Sequence, residues 1–171
     1  MNAILRNTFL WIGVLFLFFN GYTYAQDPFF NHYSEDEELP TNEVYDITMD
    51  ENNIIYMATD KGLVVYDGYT FETLTVHDNL SDNCILRMHN DRVYKRIWLT
   101  SLRNTCDYIE NGKVFNAEFN DSLQKKSLHE HFVQNIFVTA DSQMFLNFNN
   151  EGLFKIEGKA LIPYTKHLDN A

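Results

Sequence analysis

The strand pattern of this chain is clearest in residues 44–76, which read VYDITMDENNIIYMATDKGLVVYDGYTFETLTV. Four short segments rich in β-branched and aromatic residues alternate with polar turns at 50–53, 60–62 and 67–68, which is typical of strands. Asp67-Gly68 is a strong signal for a two-residue hairpin turn, in which both central positions need a positive φ. Residues 44–76 therefore predict four consecutive antiparallel strands.

This four-strand unit recurs further along the chain, at offsets of about 41 and 89 residues from the first copy. Corresponding positions are Val44, Ile85 and Val133, and likewise Tyr56, Trp98 and Phe145. Four strands per copy and a period of about 40–45 residues are typical of a β-propeller, whose copies are called blades. We therefore predict an all-β, incomplete propeller of about three four-stranded antiparallel blades. A β-sandwich or meander with similar hairpins is the alternative.

The repeat divides the chain into six predicted segments. These are a signal peptide at 1–25, a lead-in segment at 26–40, blade one at 41–76, blade two at 82–118, an inter-blade loop at 119–131 and blade three at 132–165. The lead-in segment is interpreted as a strand that enters the fold and completes another blade. The recurring aromatics Tyr56, Trp98 and Phe145 are interpreted as packing between neighbouring blades.

The first 25 residues have the character of an export signal. Arg6 is their only charge, and residues 9–19 read FLWIGVLFLFF, a length suited to a signal-peptide core. A membrane span would need about 20 apolar residues. Thr23 and Ala25 are small enough for the −3 and −1 sites of a signal peptidase, so cleavage is expected to leave Gln26 first. An uncleaved anchor is the alternative, and both place the later residues in the periplasm or outside the cell.

The charge of the chain is strongly acidic, with a formal net charge of −11. Loss of the first 25 residues, which contain one base and no acid, would lower it to −12. Such a surface repels phosphate backbones and anionic lipid heads, so nucleic acid is not an expected partner. The 14 Phe and 10 Tyr, with only 3 Pro, favour strands over disorder.

The two cysteines, Cys84 and Cys106, are predicted to stay unbridged. An oxidising compartment permits a disulfide. In the predicted register, however, Cys84 precedes the innermost strand of blade two and Cys106 begins its third strand. Strands two positions apart are separated by about 9.5 Å, whereas a disulfide needs Cα atoms within about 7 Å.

The copies resemble the repeat of two-component regulator propellers, which form the periplasmic sensor regions of Bacteroidetes-type sensor histidine kinases. The matching residues are Leu39-Pro40-Thr41-Asn42, Asp50, Thr59, Gly62-Leu63, Tyr66-Asp67-Gly68 and Phe71 in blade one, and Asp82-Asn83 and Trp98 in blade two. The chain departs from that repeat at Glu38 and Asn53, where glycine is usual, and at Tyr56 and Phe145, where tryptophan is usual. The resemblance covers most of residues 30–163 and is strongest in blade one.

The resemblance implies that this chain is the N-terminal ligand-sensing portion of a longer sensor. Further blades, a membrane span and a cytoplasmic histidine kinase would follow in the parent protein, and the parent would form any dimer. The parent would be the enzyme. The chain itself has no phosphoacceptor or nucleotide-binding glycine motif.

Candidate ligand contacts lie in the loops that lead into the inner strands, because these loops converge at the mouth of a propeller channel. They are Thr41, Asn42 and Glu43 before blade one, and Ser81, Asp82 and Asn83 before blade two. The expected ligand is a small molecule or a glycan.

The other polar clusters are interpreted as surface features. His129-Glu130-His131 could place two histidines on a metal, but a third ligand at short spacing is missing. Residues 50–53 have oxygen ligands at calcium-loop spacing but lack the turn glycine and the final glutamate. The acidic run at 34–38 is interpreted as solvated. No catalytic residue, metal ion or cofactor is predicted, and neither Ser101 nor Ser127 lies in a glycine-flanked elbow.

Two further functions compete with sensing. A secreted propeller could bind glycans or proteins without signalling, or it could be a hydrolase or lyase with acids around the channel. A downstream membrane span and kinase would select the sensor.

Overall fold

The computed structural model describes residues 30–37, 39–127 and 133–164. The chain divides into two units, Met1–His32 and Tyr33–Ala171. In the first unit only residues 30–32 are described, and they are exposed and have no regular secondary structure. The predicted signal peptide lies outside the described residues, so its cleavage stays a prediction.

In the second unit, the described residues form three four-stranded antiparallel sheets, and in each sheet consecutive strands pair. The first sheet contains β1 (Val44–Met49), β2 (Ile55–Thr59), β3 (Leu63–Tyr66) and β4 (Phe71–Leu74). The second contains β5 (Ile85–Asp91), β6 (Arg96–Ser101), β7 (Cys106–Glu110) and β8 (Lys113–Asn116). The third contains β9 (Val133–Val138), β10 (Met144–Phe148), β11 (Gly152–Glu157) and β12 (Ala160–Pro163). The predicted fold class, an all-β propeller-like domain that is not closed, is confirmed.

The edge strands β1 and β5 lie side by side and run in the same direction. The backbone N–H of Met88 donates to Asp46 Oδ2 at 2.8 Å, and Asn90 Nδ2 donates to the carbonyl of Met49 at 2.6 Å. Strand β9 joins the row on the other side of β5, where the N–H of Val138 donates to His89 Nε2 at 3.2 Å. These three strands therefore occupy the inner-strand position of their blades.

Two apolar clusters fill the spaces between neighbouring sheets. The first joins Tyr56, Ala58 and Leu63 of the first sheet to Ile85, Ile97, Leu99, Ile109 and Val114 of the second. The other joins Trp98 and Cys106 of the second sheet to Val133, Ile136, Leu146, Phe148 and Phe154 of the third. Successive residues of β6 thus pack in opposite directions, as the alternation of a strand requires.

The hairpin between β3 and β4 differs from the expected two-residue turn. Residues 67–70 separate the strands, and only Gly68 has a positive φ, of 96°. The carboxylate of Asp67 accepts hydrogen bonds from the N–H groups of Tyr69 and Thr70 at 2.8 and 2.7 Å. The turn prediction at Asp67-Gly68 was therefore wrong in detail, because the aspartate side chain closes a longer loop.

The lead-in segment is not a strand in its described residues. It contains a short 3₁₀ helix, Glu35–Glu37. Tyr33 packs against the first sheet, with its ring centroid 5.6 Å from that of Tyr66 and 5.3 Å from that of Phe71. Leu39 is buried. The segment therefore covers part of the first sheet with side chains and adds no strand.

The connection at 119–131, predicted as a loop, contains helix α1 (Asn120–Ser127). Leu123 of this helix is fully buried in the cluster between the second and third sheets, and Phe119 is buried beside it. Lys126 lies over the ring of Phe154, 4.2 Å from its centroid, and forms an ion pair with Glu151. The sequence NDSLQKKS has one apolar residue and so gives no helical period. Among the described residues, no helix is long and apolar enough to cross a membrane.

Gly62 is the position at which the backbone most clearly needs glycine. Its φ is 141°, and a Cβ there would lie 2.3 Å from the carbonyl oxygen of Leu74. Its own carbonyl accepts hydrogen bonds from the N–H and hydroxyl of Thr59 at 3.1 and 2.7 Å. A side chain at this position would therefore force β3 away from β4.

We expect Gly62→Ala to lower the free energy of unfolding by about 2–4 kcal/mol, because it combines backbone strain with a steric clash. Gly158→Ala is the matched control, since Gly158 also has a positive φ, of 60°, but a methyl group added there would meet nothing within 4 Å. The control should lose only about 1 kcal/mol. Urea denaturation of both variants measures the difference, and equal losses would contradict the proposed clash.

Candidate functional site

The two predicted ligand loops lie at the same end of the inner strands, since they precede the parallel strands β1 and β5. In the first loop, Thr41 is buried and its hydroxyl accepts from the N–H of Glu43 at 3.1 Å. Asn42 exchanges two hydrogen bonds with Glu35, of 3.2 and 3.3 Å. The Tyr45 hydroxyl donates to Glu43 at 2.6 Å, which raises the pKa of Tyr45 to about 12.

The second predicted loop is held by hydrogen bonds between all three of its predicted contact residues and other parts of the protein. The N–H and hydroxyl of Ser81 donate to the buried carboxylate of Asp107 at 2.8 and 2.6 Å. Asp82 accepts from the N–H of Arg103 at 3.2 Å, and the side chain of Asn83 accepts from the N–H of Val76 at 2.9 Å. The side chains of all six predicted contacts therefore have hydrogen-bond partners within the protein, and ligand binding by them stays a prediction.

The surroundings of Cys84, next to these loops, are acidic. Burial raises the pKa of its thiol, and the carboxylates of Asp82, Asp60 and Glu43 raise it further. No three His, Cys, Asp or Glu side chains in the described part of the chain are arranged to hold a metal ion. His129-Glu130-His131 lies outside the described residues.

A cleft of about 450 Å³ opens between the first and second sheets, at the opposite end of the inner strands from the predicted loops. One wall is the turn after β1, with Asp50, Glu51 and Asn52, together with Tyr56 of β2. The other wall carries Asn90, near the end of β5, with Lys95 and Asn111 at turns of the second sheet. The side chains of Ile54, Ile97 and Ile109 supply its apolar surface. This volume is within the range of about 300–1,000 Å³ found for small-molecule sites.

The turn that forms the first wall is fixed by Asp50. Its Oδ1 accepts from the N–H groups of Asn52 and Ile54 at 2.8 and 3.0 Å, so residues 50–53 are a turn, as interpreted from the sequence. Its Oδ2 accepts from the Tyr56 hydroxyl at 3.4 Å. Burial, with a smaller contribution from Asp50, raises the pKa of Tyr56 to about 12. The hydroxyl is protonated at neutral pH, and because its single proton is directed towards Asp50, a ligand in the cleft would meet this oxygen as an acceptor.

An exposed ion pair joins the two walls of the cleft. Lys95 Nζ lies 2.7 Å from Glu51 Oε2. The hydrogen bond to Glu51 raises the pKa of Lys95. Exposed pairs of this kind add little to stability because water and salt screen the charges, so a ligand could displace this contact easily. Amide, hydroxyl and charged groups over an apolar surface can bind a small polar molecule by hydrogen bonds and ring contacts.

Sequence reasoning did not identify this cleft. The residues that form its walls lie in or beside five strands, β1, β2, β5, β6 and β7, and Asp50, Glu51 and Asn52 were interpreted only as turn residues. A second, smaller hollow of about 210 Å³ lies between the second and third sheets at the same end, beside His89 and Val138. Burial lowers the pKa of His89. The sequence signal for this end of the sheets was the recurrence of an aspartate at the end of the first two inner strands, with Asp50 directly after β1 and Asp91 as the last residue of β5.

The arrangement is that of adjoining propeller blades with a ligand-sized cleft between two of them. In structure the chain is similar to the extracellular domain of BT4673 from B. thetaiotaomicron, provisionally described as a one component system, with a TM-score of 0.55 and 20% identity. The aligned region covers 75% of this chain and 17% of the BT4673 chain. A second structure, provisionally described as the extracellular domain of the hybrid two component system BT4673, gives a TM-score of 0.55 at 20% identity, over 77% and 18%.

The chain matches no protein-family model and no curated protein. The structural similarity confirms, at the level of the fold, the resemblance to sensor propellers seen in the sequence. The chain spans less than a fifth of the length of these neighbours.

Both cysteines are free in the structure, as predicted: Cys84 is partly buried and Cys106 is fully buried. Burial, and to a smaller extent Asp107, raise the pKa of the Cys106 thiol.

Without reductant, we expect an alkylating reagent at neutral pH to label Cys84 slowly and Cys106 only after unfolding, because the thiolate is the reactive form. Mass spectrometry with Cys84→Ser as the assignment control measures this. An unlabelled, denatured chain two hydrogens lighter would indicate a disulfide.

Proposed function

We propose that this chain is the N-terminal portion of a ligand-sensing propeller in an extracytoplasmic sensor of the two-component type. The observation that carries the proposal is the fold shared, over three quarters of the chain, with extracellular domains described as belonging to one-component or hybrid two-component systems. In this proposal the chain binds and has no catalytic role. The histidine kinase, membrane span and further blades belong to a longer parent protein.

The proposed location is the periplasm or the outer face of the cell. The apolar run at 9–19, with small residues at Thr23 and Ala25, supports export. The structural neighbours are themselves extracellular domains.

The proposed ligand site is the cleft between the first and second sheets. Its rim is dominated by groups that donate and accept hydrogen bonds, including Asn52, Asn90 and Asn111. The formal net charge of −11 disfavours anionic ligands. We therefore propose a neutral, hydroxyl-rich ligand, such as an oligosaccharide, which would contact both sheets at once.

The parent protein can be tested by sequencing the genomic DNA that follows the codon for Ala171. The proposal expects the reading frame to continue through further blades, a membrane-spanning segment and a histidine kinase. A reading frame that stops after a complete propeller, with neither of the other two parts, would favour a secreted binding protein without signalling.

The ligand site can be tested with a panel of neutral oligosaccharides and sulfated oligosaccharides of matched size. A neutral ligand should raise the melting temperature, since it binds only the folded state. Tyr56→Phe removes one hydrogen bond and should weaken binding about threefold to tenfold. Isothermal titration calorimetry measures the affinity.

Glu43→Gln is the matched control for the ligand test, because Glu43 lies in the predicted loops at the other end of the inner strands. It should leave the affinity unchanged. If Glu43→Gln weakens binding and Tyr56→Phe does not, the site lies in the loops. If only sulfated ligands bind, the charge argument is wrong.

A further inference from the structure

Strand β9 is held at each of its ends by a side chain of the second blade. At the first residue of β9, the backbone N–H of Val133 donates to Asn104 Oδ1 at 2.9 Å. At the last residue, the N–H of Val138 donates to His89 Nε2 at 3.2 Å. Asn104 lies in the connection between β6 and β7, whereas His89 lies on β5. The two contacts therefore come from different parts of the second blade.

The two acceptors respond differently to a proton. The side-chain amide of Asn104 does not change its charge with pH. His89 can accept from Val138 only while Nε2 carries no proton, because a charged imidazole is a donor at both nitrogens. Protonation of His89 would place two N–H groups against each other and would remove this acceptor from the N–H of Val138.

The junction between the first and second sheets uses the same kind of contact with another acceptor. Asp46 of β1 accepts from the N–H of Met88 of β5 at 2.8 Å. Allowing for the repeat, the His89–Val138 contact lies two residues further along both inner strands. Histidine is the side chain that ordinarily changes its charge between pH 5 and 8. The junction between the second and third sheets is therefore the one whose acceptor depends on pH in this range.

The groups around His89 leave burial as the main influence on its charge. Burial lowers the pKa of His89, and the carboxylate of Asp91, on the same strand, acts in the opposite direction to a smaller extent. The side chains of the third sheet that pack towards the second sheet are apolar. The turns after β5 and β9 carry Arg92 and Asp141. The other charged residues on the same face of the second sheet are Arg87, Arg96, Glu110 and Lys113.

The contact can change without unfolding of the chain. His89 is only partly buried, and it lines the hollow of about 210 Å³ between the second and third sheets, so solvent protons can reach its ring. Val133 and Ile136 of β9 are buried in the apolar cluster between these sheets. A change at Val138 therefore leaves most of the strand packed in place.

We propose that the His89–Val138 contact is a pH-sensitive joint between the second and third sheets. Protonation of His89 releases the Val138 end of β9, while Asn104 and the apolar cluster keep the Val133 end in place. The spacing between the two sheets then increases at the end of the inner strands that carries the hollow. The joint is separate from the proposed ligand cleft, and a sensor outside the cytoplasm would expose it to the pH of the surroundings.

The joint also links the stability of the chain to pH, with a definite sign. The pKa of His89 is lower in the folded chain than the ordinary value of about 6.5, which applies to the unfolded chain. The unfolded chain therefore binds the proton more readily. The stability contributed by the neutral His89 is complete above about pH 6.5, and it is lost progressively as the pH falls from there to the pKa of the folded chain.

Proton–nitrogen NMR between pH 8 and 5, on the chain exported to the periplasm of a bacterial host, tests the proposal. The amide signal of Val138 should shift with the same midpoint as the His89 ring, below about pH 6.5, whereas the Val133 amide should not follow this curve. Protection of the Val138 amide from hydrogen exchange, corrected for the intrinsic rate at each pH, should fall about tenfold.

Two substitutions assign the transition to His89. His89→Gln supplies an amide acceptor that does not titrate, and it should abolish the shift of Val138. His77→Gln is the matched control, because His77 is exposed in the 3₁₀ helix Val76–Asp78, and it should leave the shift unchanged. Circular dichroism checks that both variants fold. His89→Thr, which introduces the residue found at the corresponding Thr48 of the first sheet, is the second variant if His89→Gln does not.

A Val138 signal that stays constant between pH 8 and 5 would overturn the proposal, as would the same transition in the variant without His89. A His89 midpoint above pH 6.5 would contradict the expected direction of the linkage. Parallel transitions at Val133 and Val138 would show that the whole of β9 detaches, and would overturn a joint that opens at one end.

Discussion

Each four-stranded sheet in this chain has apolar side chains on both faces, and this constraint determines how the sheets are arranged. In β6, Leu99 packs towards the first sheet while its neighbour Trp98 packs towards the third, and both are buried. A strand with alternate residues buried on opposite sides needs a covering layer on each side. One sheet alone could not remove these side chains from water, so stacking of the sheets face to face is a condition for the fold.

Apolar packing does not by itself fix how one sheet is placed along the next, and buried polar contacts supply that information. Asp107 is buried, and its carboxylate accepts from Ser81 and from Asn116 Nδ2, the latter at 2.9 Å. A buried charge without such donors would destabilise the fold, so the connection before β5 can adopt only positions that supply them. In the same way, the hydrogen bond from the Met88 N–H to Asp46 fixes the position of β5 along β1.

The ligand cleft follows from this arrangement. The inner strands β1 and β5 are joined along their length, whereas the turns at their far ends meet mainly through the exposed Lys95–Glu51 pair. A molecule bound there would contact the turn after β1 and the turns of the second sheet together. Under the proposed sensing function, ligand binding would therefore stabilise one spacing between the two blades. A longer protein could transmit this change in blade spacing to its other domains.

Local patterns in the sequence were sufficient to predict the strands, their grouping into four-stranded sheets and the unbridged state of the cysteines. Alternation along Val44–Met49 and the spacing from Ile47 to Met88 depend on residues close together or on a fixed period. Local patterns failed where a side chain, rather than the backbone, determines the conformation. The Asp67 side chain closes a longer loop than the Asp67-Gly68 dipeptide predicts. Burial of Leu123 against two sheets stabilises helix α1, whose own sequence has no helical period.

Strand periodicity and turn chemistry act over a few residues, so local sequence was sufficient to identify the strands and to group them into blades. By contrast, the packing of the folded chain shows that Ser81 and Asp82 hold a loop in place and that Tyr56, Asn90 and Lys95 share a cleft. Ser81 and Asp82 bond to residues far along the chain in the same blade, and Tyr56 belongs to the first sheet while Asn90 and Lys95 belong to the second, so their proximity depends on how the sheets and their connections pack. That packing depends on apolar surface and buried hydrogen bonds contributed by residues far apart in the chain.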